Sequence, residues 1–298
     1  MLDKRFLPTV IALGYFDSVH EGHKKVISAA KEYADKNGCS LTVFTFKGNL
    51  KSMLGGNGDK SVYLPFEREK LLMELGADKI HFAPVSEKFL AMDKLAFLDY
   101  LNENYKIKCY VSGKDYRFGR FGSGEVQDIK QYAVEHGQTQ IIVDTFIFDG
   151  EKVSTTGIKA LLREGDVEKA NILLGRKYSV IGKVYKDRSV GGRIGFPTAN
   201  LTLDKDKFYV KDGVYQGEAE VDGKVYQAII NYGTRPTFNV DQKALEAQVV
   251  GFNGDLYGKE ITLSFTRRMR DIVKFKDENQ LQEQLEKDLR FIREGKYD

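Results

Sequence analysis

Two histidines three residues apart, His20 and His23, close the run Gly14-Tyr-Phe-Asp17-Ser-Val-His20-Glu-Gly22-His23. Imidazole N–H groups can stabilise the negative charge that builds on a phosphate under attack and on a departing pyrophosphate. Their position strengthens that chemistry. Thr9-Val-Ile-Ala-Leu13 reads as a buried strand, and Val26, Ile27, Ala30 and Ala34 then recur at helical spacing before Gly38. The histidines therefore stand where a strand hands over to a helix N-terminus, whose backbone N–H groups and dipole favour an anion. Gly22 leaves room for a phosphate to approach the backbone. The pattern points to a nucleoside triphosphate site; the plainer reading is two surface histidines at a helix start. Zinc is disfavoured because no cysteine or third histidine stands at ligand spacing, and a Gly-rich Walker loop is absent.

Further runs carry chemistry of their own. Val111-Ser-Gly113-Lys-Asp115-Tyr-Arg-Phe118-Gly119 follows another strand-like segment, so Asp115 is expected on the same rim of a sheet. Val153-Ser154-Thr155-Thr156-Gly157-Ile-Lys159 is a hydroxyl-rich turn entering a helix, where Ser154 or Thr155 can equally be a plain N-cap. In the second half, Gly191-Gly192-Arg193-Ile-Gly195-Phe-Pro-Thr198-Ala-Asn200 offers backbone N–H groups to phosphates. Thr198 and Asn200, two apart on a strand, present two neutral oxygens on one face, a donor set that suits Mg²⁺. A glycine-rich hairpin with a polar face is the other reading. Glu246, in Leu245-Glu-Ala-Gln-Val-Val250, is either a solvated carboxylate or a base for a hydroxyl proton beside Mg-ATP.

The elements that must position these residues divide the chain. Candidate strands at 9–13, 40–46, 79–83, 108–112 and 140–147 alternate with candidate helices at 23–37, 65–76, 92–104, 125–136, 155–164 and 166–174. Such alternation predicts an α/β domain of residues 1–175, a Rossmann-like parallel sheet with helices on both faces. Beyond it lie short β-rich segments at 178–185, 197–203, 213–221, 224–231, 244–250 and 260–266, punctuated by Asp-Gly and Asn-Gly turns. They predict a small six-stranded antiparallel barrel over residues 176–298. Leu281, Leu285 and Leu289 mark a C-terminal amphipathic helix over 277–292 that packs on the barrel. The segment 47–61, with four glycines, is expected to be a mobile loop.

Bulk properties narrow the partners. The 298 residues, 42% hydrophobic and 30% charged, belong to a globular protein. A net charge of +3 gives no support to a general nucleic-acid surface. No apolar run approaches the roughly 18 residues of a membrane span, and the N-terminus lacks a signal-peptide pattern. A cytoplasmic protein, off the membrane and monomeric or weakly oligomeric, is expected. Cys39 and Cys109 then read as reduced core thiols.

The motifs GYFDSVHEGH (14–23), SGKDYRFG (112–119), VSTTGIK (153–159), GGRIGFPTANL (191–201), DGVYQG (212–217), NYGTRPTF (231–238), LYGKEI (256–261) and RRMRDIVKF (267–275) together, in this order, resemble one family. It is the bacterial bifunctional riboflavin kinase/FMN adenylyltransferases, or prokaryotic FAD synthetases. The resemblance implies a nucleotidyltransferase-like first domain and a riboflavin kinase barrel, with riboflavin, FMN and ATP as substrates and Mg²⁺ as cofactor. In the barrel it implies that Thr198 and Asn200 hold Mg²⁺, Gly192 and Arg193 line the ATP phosphates, Glu246 is the base, and the loop around Arg270 closes over the flavin. In the first domain it implies that His20 and His23 bind phosphates, with Gly14, Asp17, Gly22, Asp115, Ser154, Thr156 and Lys159 on the nucleotide and flavin sites.

The sequence also departs from the family pattern. Ser18 stands where glycine is common, Lys47-Gly48-Asn49 where Pro-His-Pro is usual, and Lys159 where the family's Ser-Ser-Thr-x-x-Arg motif has arginine. In the kinase half the usual Glu-x-His is Glu246-Ala-Gln248. Lysine keeps a charge but not the bidentate fork. Two rival readings follow: a single-activity riboflavin kinase with an impaired first domain, and a flavin-binding regulator without turnover. Binding alone would need neither the metal ligands nor the base.

Overall fold

Thr9–Leu13 form strand β1, and all five residues are buried, as befits a strand covered on both faces. β2 (Ser40–Phe46), β3 (Lys79–Ala83), β4 (Ile107–Gly113) and β5 (Thr139–Val143) complete a parallel sheet in the order β3-β2-β1-β4-β5. The computed structural model describes residues 7–47, 60–83, 86–186, 198–235 and 240–294. It divides into two compact units, Met1–Thr155 and Thr156–Asp298.

Alternation along β1 feeds two cores. Val10 and Ala12 pack with Val26, Ile27 and Ala30 of α1 (Glu21–Asn37). Ile11 and Leu13 pack on the other face with Phe97, Leu98 and Leu101 of a helix at Lys94–Asn104 and with Ile129 and Tyr132 of one at Val126–Glu135. In chain order α2 is Pro65–Glu74, α3 Glu87–Leu90, and those two helices are α4 and α5. Gly38 ends α1 in the left-handed conformation, φ 63°, with its N–H on the Ala34 carbonyl, a C-cap that few other residues supply. Cys39 and Cys109 are buried free thiols, and burial pushes the Cys109 thiol up to about 12.

One expected element splits. The sequence suggests a strand over 140–147, but β5 stops at Val143, and β6 (Ile147–Phe148) turns back onto β7 (Glu151–Lys152). Asp149 and Gly150 take φ of 52° and 80°, the two left-handed residues that a tight two-residue hairpin demands. The expectation for loop 47–61 falls almost wholly on residues outside those described.

The second unit is a closed barrel. β8 (Tyr178–Tyr185), β9 (Ala199–Leu201), β10 (Gly213–Val221), β11 (Lys224–Arg235), β12 (Val240–Val249) and β13 (Glu260–Arg270) close in the order β10-β11-β12-β9-β8-β13. α6 (Thr155–Glu164) and α7 (Val167–Leu174) are bonded to it. Lys211 N–H donates to the Leu162 carbonyl at 2.8 Å, Asn171 donates to the Phe265 carbonyl at 2.8 Å, and Asn171 Oδ1 accepts from Tyr178 N–H at 2.6 Å. Inward residues such as Tyr215, Ile230, Leu245 and Leu263 are fully buried.

The helix expected at 277–292 is α8 (Glu278–Glu294), which lays Leu289 and Ile292 against Val214, Ile229 and Met269 on the outer face of the barrel. Its other attachment is ionic. Arg270, the last residue of β13, donates Nε to Asp288 Oδ1 at 2.9 Å and Nη2 to Oδ2 at 2.6 Å. Asp288 is wholly buried and also accepts from Gln284 at 3.0 Å. Removing one partner of a buried pair strands the other charge. Asp288→Ala should therefore lower stability by about 3 kcal/mol, while Arg270→Met with Asp288→Leu should recover most of that loss; equilibrium urea unfolding of the full chain measures both.

Candidate active sites

Strand order reverses about β1: the chain builds β2 and β3 on one side, then returns to place β4 on the other. In such sheets the loops after the two strands at the reversal flank a ligand crevice. Those loops are 14–20, after β1, and 114–119, after β4, the two segments that carry His20 and Asp115.

The first loop is strained. Phe16 and Val19 take φ of 49° and 43°, each costing on the order of 1–3 kcal/mol in a non-glycine residue. Surrounding bonds hold the conformation. The Tyr15 carbonyl accepts from Thr45 Oγ1 at 2.7 Å and from Arg68 Nη1 at 3.1 Å. Asp17 Oδ1 accepts from Val62 N–H at 2.9 Å, and the Ser18 and Thr155 hydroxyls pair at 2.9 Å. The family departure at Ser18 is thus absorbed by a hydroxyl–hydroxyl bond.

This frame presents the histidines. The Phe16 ring lies so close over Gly14 that a Cβ there would meet it at 2.6 Å, and its face meets His23 edgewise at 5.2 Å between centroids. His20 and His23 stack at 3.7 Å with 11° between their planes. His20 is the N-cap of α1, its Nδ1 accepting from His23 N–H at 3.2 Å. A neutral imidazole that accepts at Nδ1 carries its proton on Nε2, so His20 keeps a donor on its far edge. Gly22 has a packing reason beside the one the sequence suggests: a Cβ would stand 3.0 Å from His20 Cε1 and 3.3 Å from Phe146 Cβ. The glycine makes room for the histidine ring.

Asp115 is paired with Lys152. The Lys152 hydrogen bond holds its carboxyl below the ordinary value against the opposing effect of burial, and a protonated His20 would add a smaller lowering. His20 and Asp115 are thus within electrostatic reach. Ser154 is half-buried and Thr156 exposed. Lys159 is buried in the second unit, its ammonium 5.7 Å from the centre of the Phe208 ring, over which Arg163 also lies at 5.3 Å.

Arg68 carries much of this frame and has no place among the sequence candidates. It is fully buried, donates to the carbonyls of Tyr15 and Phe46, and lies over the Tyr15 and Phe82 rings. One signal was available: Leu64, Arg68 and Leu72 recur at four-residue spacing, which puts the arginine on the buried stripe of α2.

In the barrel, cross-strand register assembles the second set. Asn200 on β9 is opposite Glu246 on β12, Glu246 opposite Asn231 on β11, Asn231 opposite Val214 on β10, and Val214 opposite Arg270 on β13. The flanking residues Leu201, Leu245, Tyr232 and Tyr215 point inward and are buried, so this row runs along the outer face. Thr198 immediately precedes β9. Asn200 and Glu246 are therefore neighbours, whereas Arg270 lies three strands from Glu246 with its guanidinium held by Asp288. Asn231 is an addition to the sequence candidates. Gly192 and Arg193 lie outside the described residues. Among the described residues no group of three or more His, Cys, Asp or Glu is suited to a metal ion.

Comparison with known proteins bears on both halves. Residues 3–157 match the family model described as FAD synthetase, and residues 174–295 match the one described as riboflavin kinase. The chain is 34% identical over 285 residues to the bifunctional riboflavin kinase/FMN adenylyltransferase of Bacillus subtilis, covering 94% of this chain and 90% of that protein. For the Escherichia coli K12 protein of the same name the identity is 30% over 284 residues, with 94% and 90% covered. A crystal structure of a Streptococcus pneumoniae protein, described as a macrolide-efflux protein, superposes with a TM-score of 0.87 at 29% identity, covering 99% of this chain and 98% of its own. Among the described residues no helix is long and apolar enough to cross a membrane.

Two outcomes are expected. Gly14→Ala forces the Phe16 ring out of its seat and should cost about 1–3 kcal/mol, read by chemical denaturation. The Asp115 carboxyl has a lowered folded pKa, so the stability it contributes is present above the ordinary carboxylate range and is lost as pH falls through the lower, folded value. Lys152→Met should return that pKa toward the ordinary value, which an NMR titration of the Asp115 carboxyl would follow.

Proposed function

This chain belongs to the bifunctional riboflavin kinase/FMN adenylyltransferase family, and we propose that it converts riboflavin to FAD in two ATP-dependent steps, one in each unit. The observation that supports this reading is that each matched half brings together side chains suited to phosphate chemistry: the stacked His20/His23 pair at the start of α1, and the Asn200–Glu246 row on the barrel.

In the barrel, Glu246 accepts the proton of the terminal ribityl hydroxyl as its oxygen attacks the γ-phosphorus of ATP, and ADP leaves. Thr198 and Asn200 would hold Mg²⁺, whose charge neutralises the phosphate oxygens. Their neutral oxygens, beside one carboxylate, fit an ion that keeps several waters and takes its other ligands from phosphates. Gly192 and Arg193 would line those phosphates. Arg270, committed to Asp288, serves as the fixed end of the segment that follows β13.

In the first unit, a phosphate oxygen of FMN attacks the α-phosphorus of a second ATP, and the bond to pyrophosphate breaks. The His20 Nε2–H and the N-terminus of α1 stabilise charge on the α-phosphate and the leaving group. Asp115, in reach of His20, orients the nucleotide side of the crevice. Gly14 and Gly22 act indirectly, by seating Phe16 and His20, and Asp17 by fixing the loop to residue 62. Ser154 would meet the flavin or the nucleotide. The burial of Lys159 against Phe208 favours a second reading, in which the kinase alone is active.

Incubation with riboflavin, ATP and Mg²⁺, with chromatographic separation of riboflavin, FMN and FAD, tests both readings. FMN and FAD should both form, and FAD should form from FMN; a chain that stops at FMN is a kinase only. His20→Ala should slow FAD formation about 10²-fold and leave FMN formation unchanged. Glu246→Gln should slow FMN formation by about 10²–10⁴-fold and spare the second step.

A further inference from the structure

Buried polar atoms in folded proteins nearly always have a partner, and one that lacks it calls for an explanation, a bound group among them. Asn231 Oδ1 and Gln248 Oε1 are both buried without a hydrogen-bond partner among the described residues. They flank Glu246. Asn231 is directly opposite it on β11, and Gln248 is two residues farther along β12, opposite Ile229. Residues two apart on a strand, and residues directly paired across strands, share a face. The three side chains therefore form one patch on the outer face of the barrel, continuous with Asn200 on the other side of Glu246.

The chemistry of the patch selects its occupant. An amide end presents a carbonyl acceptor or an NH₂ donor, and a hydroxyl, being donor and acceptor at once, satisfies either. A phosphate at these positions would face the Glu246 carboxylate and two neutral amides. A flavin ring edge carries a single N–H donor, at N3, so it could meet only one of the two unpartnered amide oxygens. A chain of adjacent hydroxyls suits all three positions. We propose that Asn231 and Gln248 hold the inner hydroxyls of the ribityl chain, so that the terminal hydroxyl lies at Glu246. This rests on the riboflavin kinase reading and adds to it the pair of residues that recognise the polyol. Gln248, which replaces the histidine of Glu-x-His, thereby has a substrate-binding role of its own.

The test uses the full chain with Asn231→Leu and Gln248→Met, near-isosteric changes that remove the polar end and leave no void. Each should raise the KM for riboflavin about 10-fold, with the KM for ATP and the conversion of FMN to FAD unchanged. A ligand-binding role also predicts that neither variant lowers the melting temperature, because an unpaired buried group is removed rather than a bond broken. A flavin whose side chain is a plain 5-hydroxypentyl group separates the roles further: wild type and variants should phosphorylate it with the same KM. An unchanged riboflavin KM in both variants overturns the proposal. So does a raised KM that persists equally on the hydroxypentyl flavin, with a lowered melting temperature, which marks a structural role. If the wild-type chain makes no FMN, the kinase reading fails and takes this proposal with it; if it makes FMN and the variants match it, only the polyol site fails.

Discussion

The reversal of strand order about β1 is the constraint on which the first unit depends. It leaves the carboxyl ends of β1 and β4 side by side, and puts His20 within electrostatic reach of Asp115. A crevice alone does not make a phosphate site. The loop after β1 turns through two left-handed non-glycine residues, and that conformation persists because Thr45, Arg68 and Val62 bond its carbonyl and carboxylate groups from outside. Strain held in this way fixes the histidine stack before any ligand arrives, which is how a site avoids reorganisation when charge develops.

The barrel solves a different problem. Among the described residues its inward positions, Tyr215, Ile230, Leu245 and Leu263, are apolar or aromatic and fully buried. Polar residues with chemistry are on the outside, in a single cross-strand row, where β-sheet register alone brings Asn200, Glu246 and Asn231 together from three strands that are distant in sequence. At the far end of that row the character changes to apolar contact and a buried ion pair under α8. One face thus serves both as chemical surface and as the seat of a helix.

Much of this was legible in the sequence. The five parallel strands, the six barrel strands and the final helix follow from apolar periodicity, and the motif order carried the division of labour between the halves. What periodicity cannot supply is partnership. Arg68 and Asp288 look like surface charges in charge-rich helices, yet each stands on the buried stripe, Arg68 between Leu64 and Leu72, Asp288 four residues before Ile292. A charge in such a place must find a mate, and the mate, a carbonyl or Arg270, comes from elsewhere in the chain. Asn231 was hidden for a related reason: its pairing with Glu246 is a matter of register between β11 and β12, not of local pattern. At Gly22 the sequence suggests backbone access for a phosphate, and only the fold adds that the His20 ring needs the same space. The strand expected over 140–147 stops at Val143, because Ile147 belongs to a separate hairpin that turns at Asp149-Gly150.

The attachment of α8 has a consequence for the order in which the second unit can be completed during synthesis. The helix follows every barrel strand in the chain, yet it supplies the carboxylate for Arg270 and the cover for Val214 and Ile229. Until it emerges, the barrel ends in an unmatched guanidinium beside a bare apolar patch, on the same row as the proposed base. A chain that has not yet docked α8 therefore has this face sticky and its Arg270 charge without a carboxylate, and the surface closes when the helix seats.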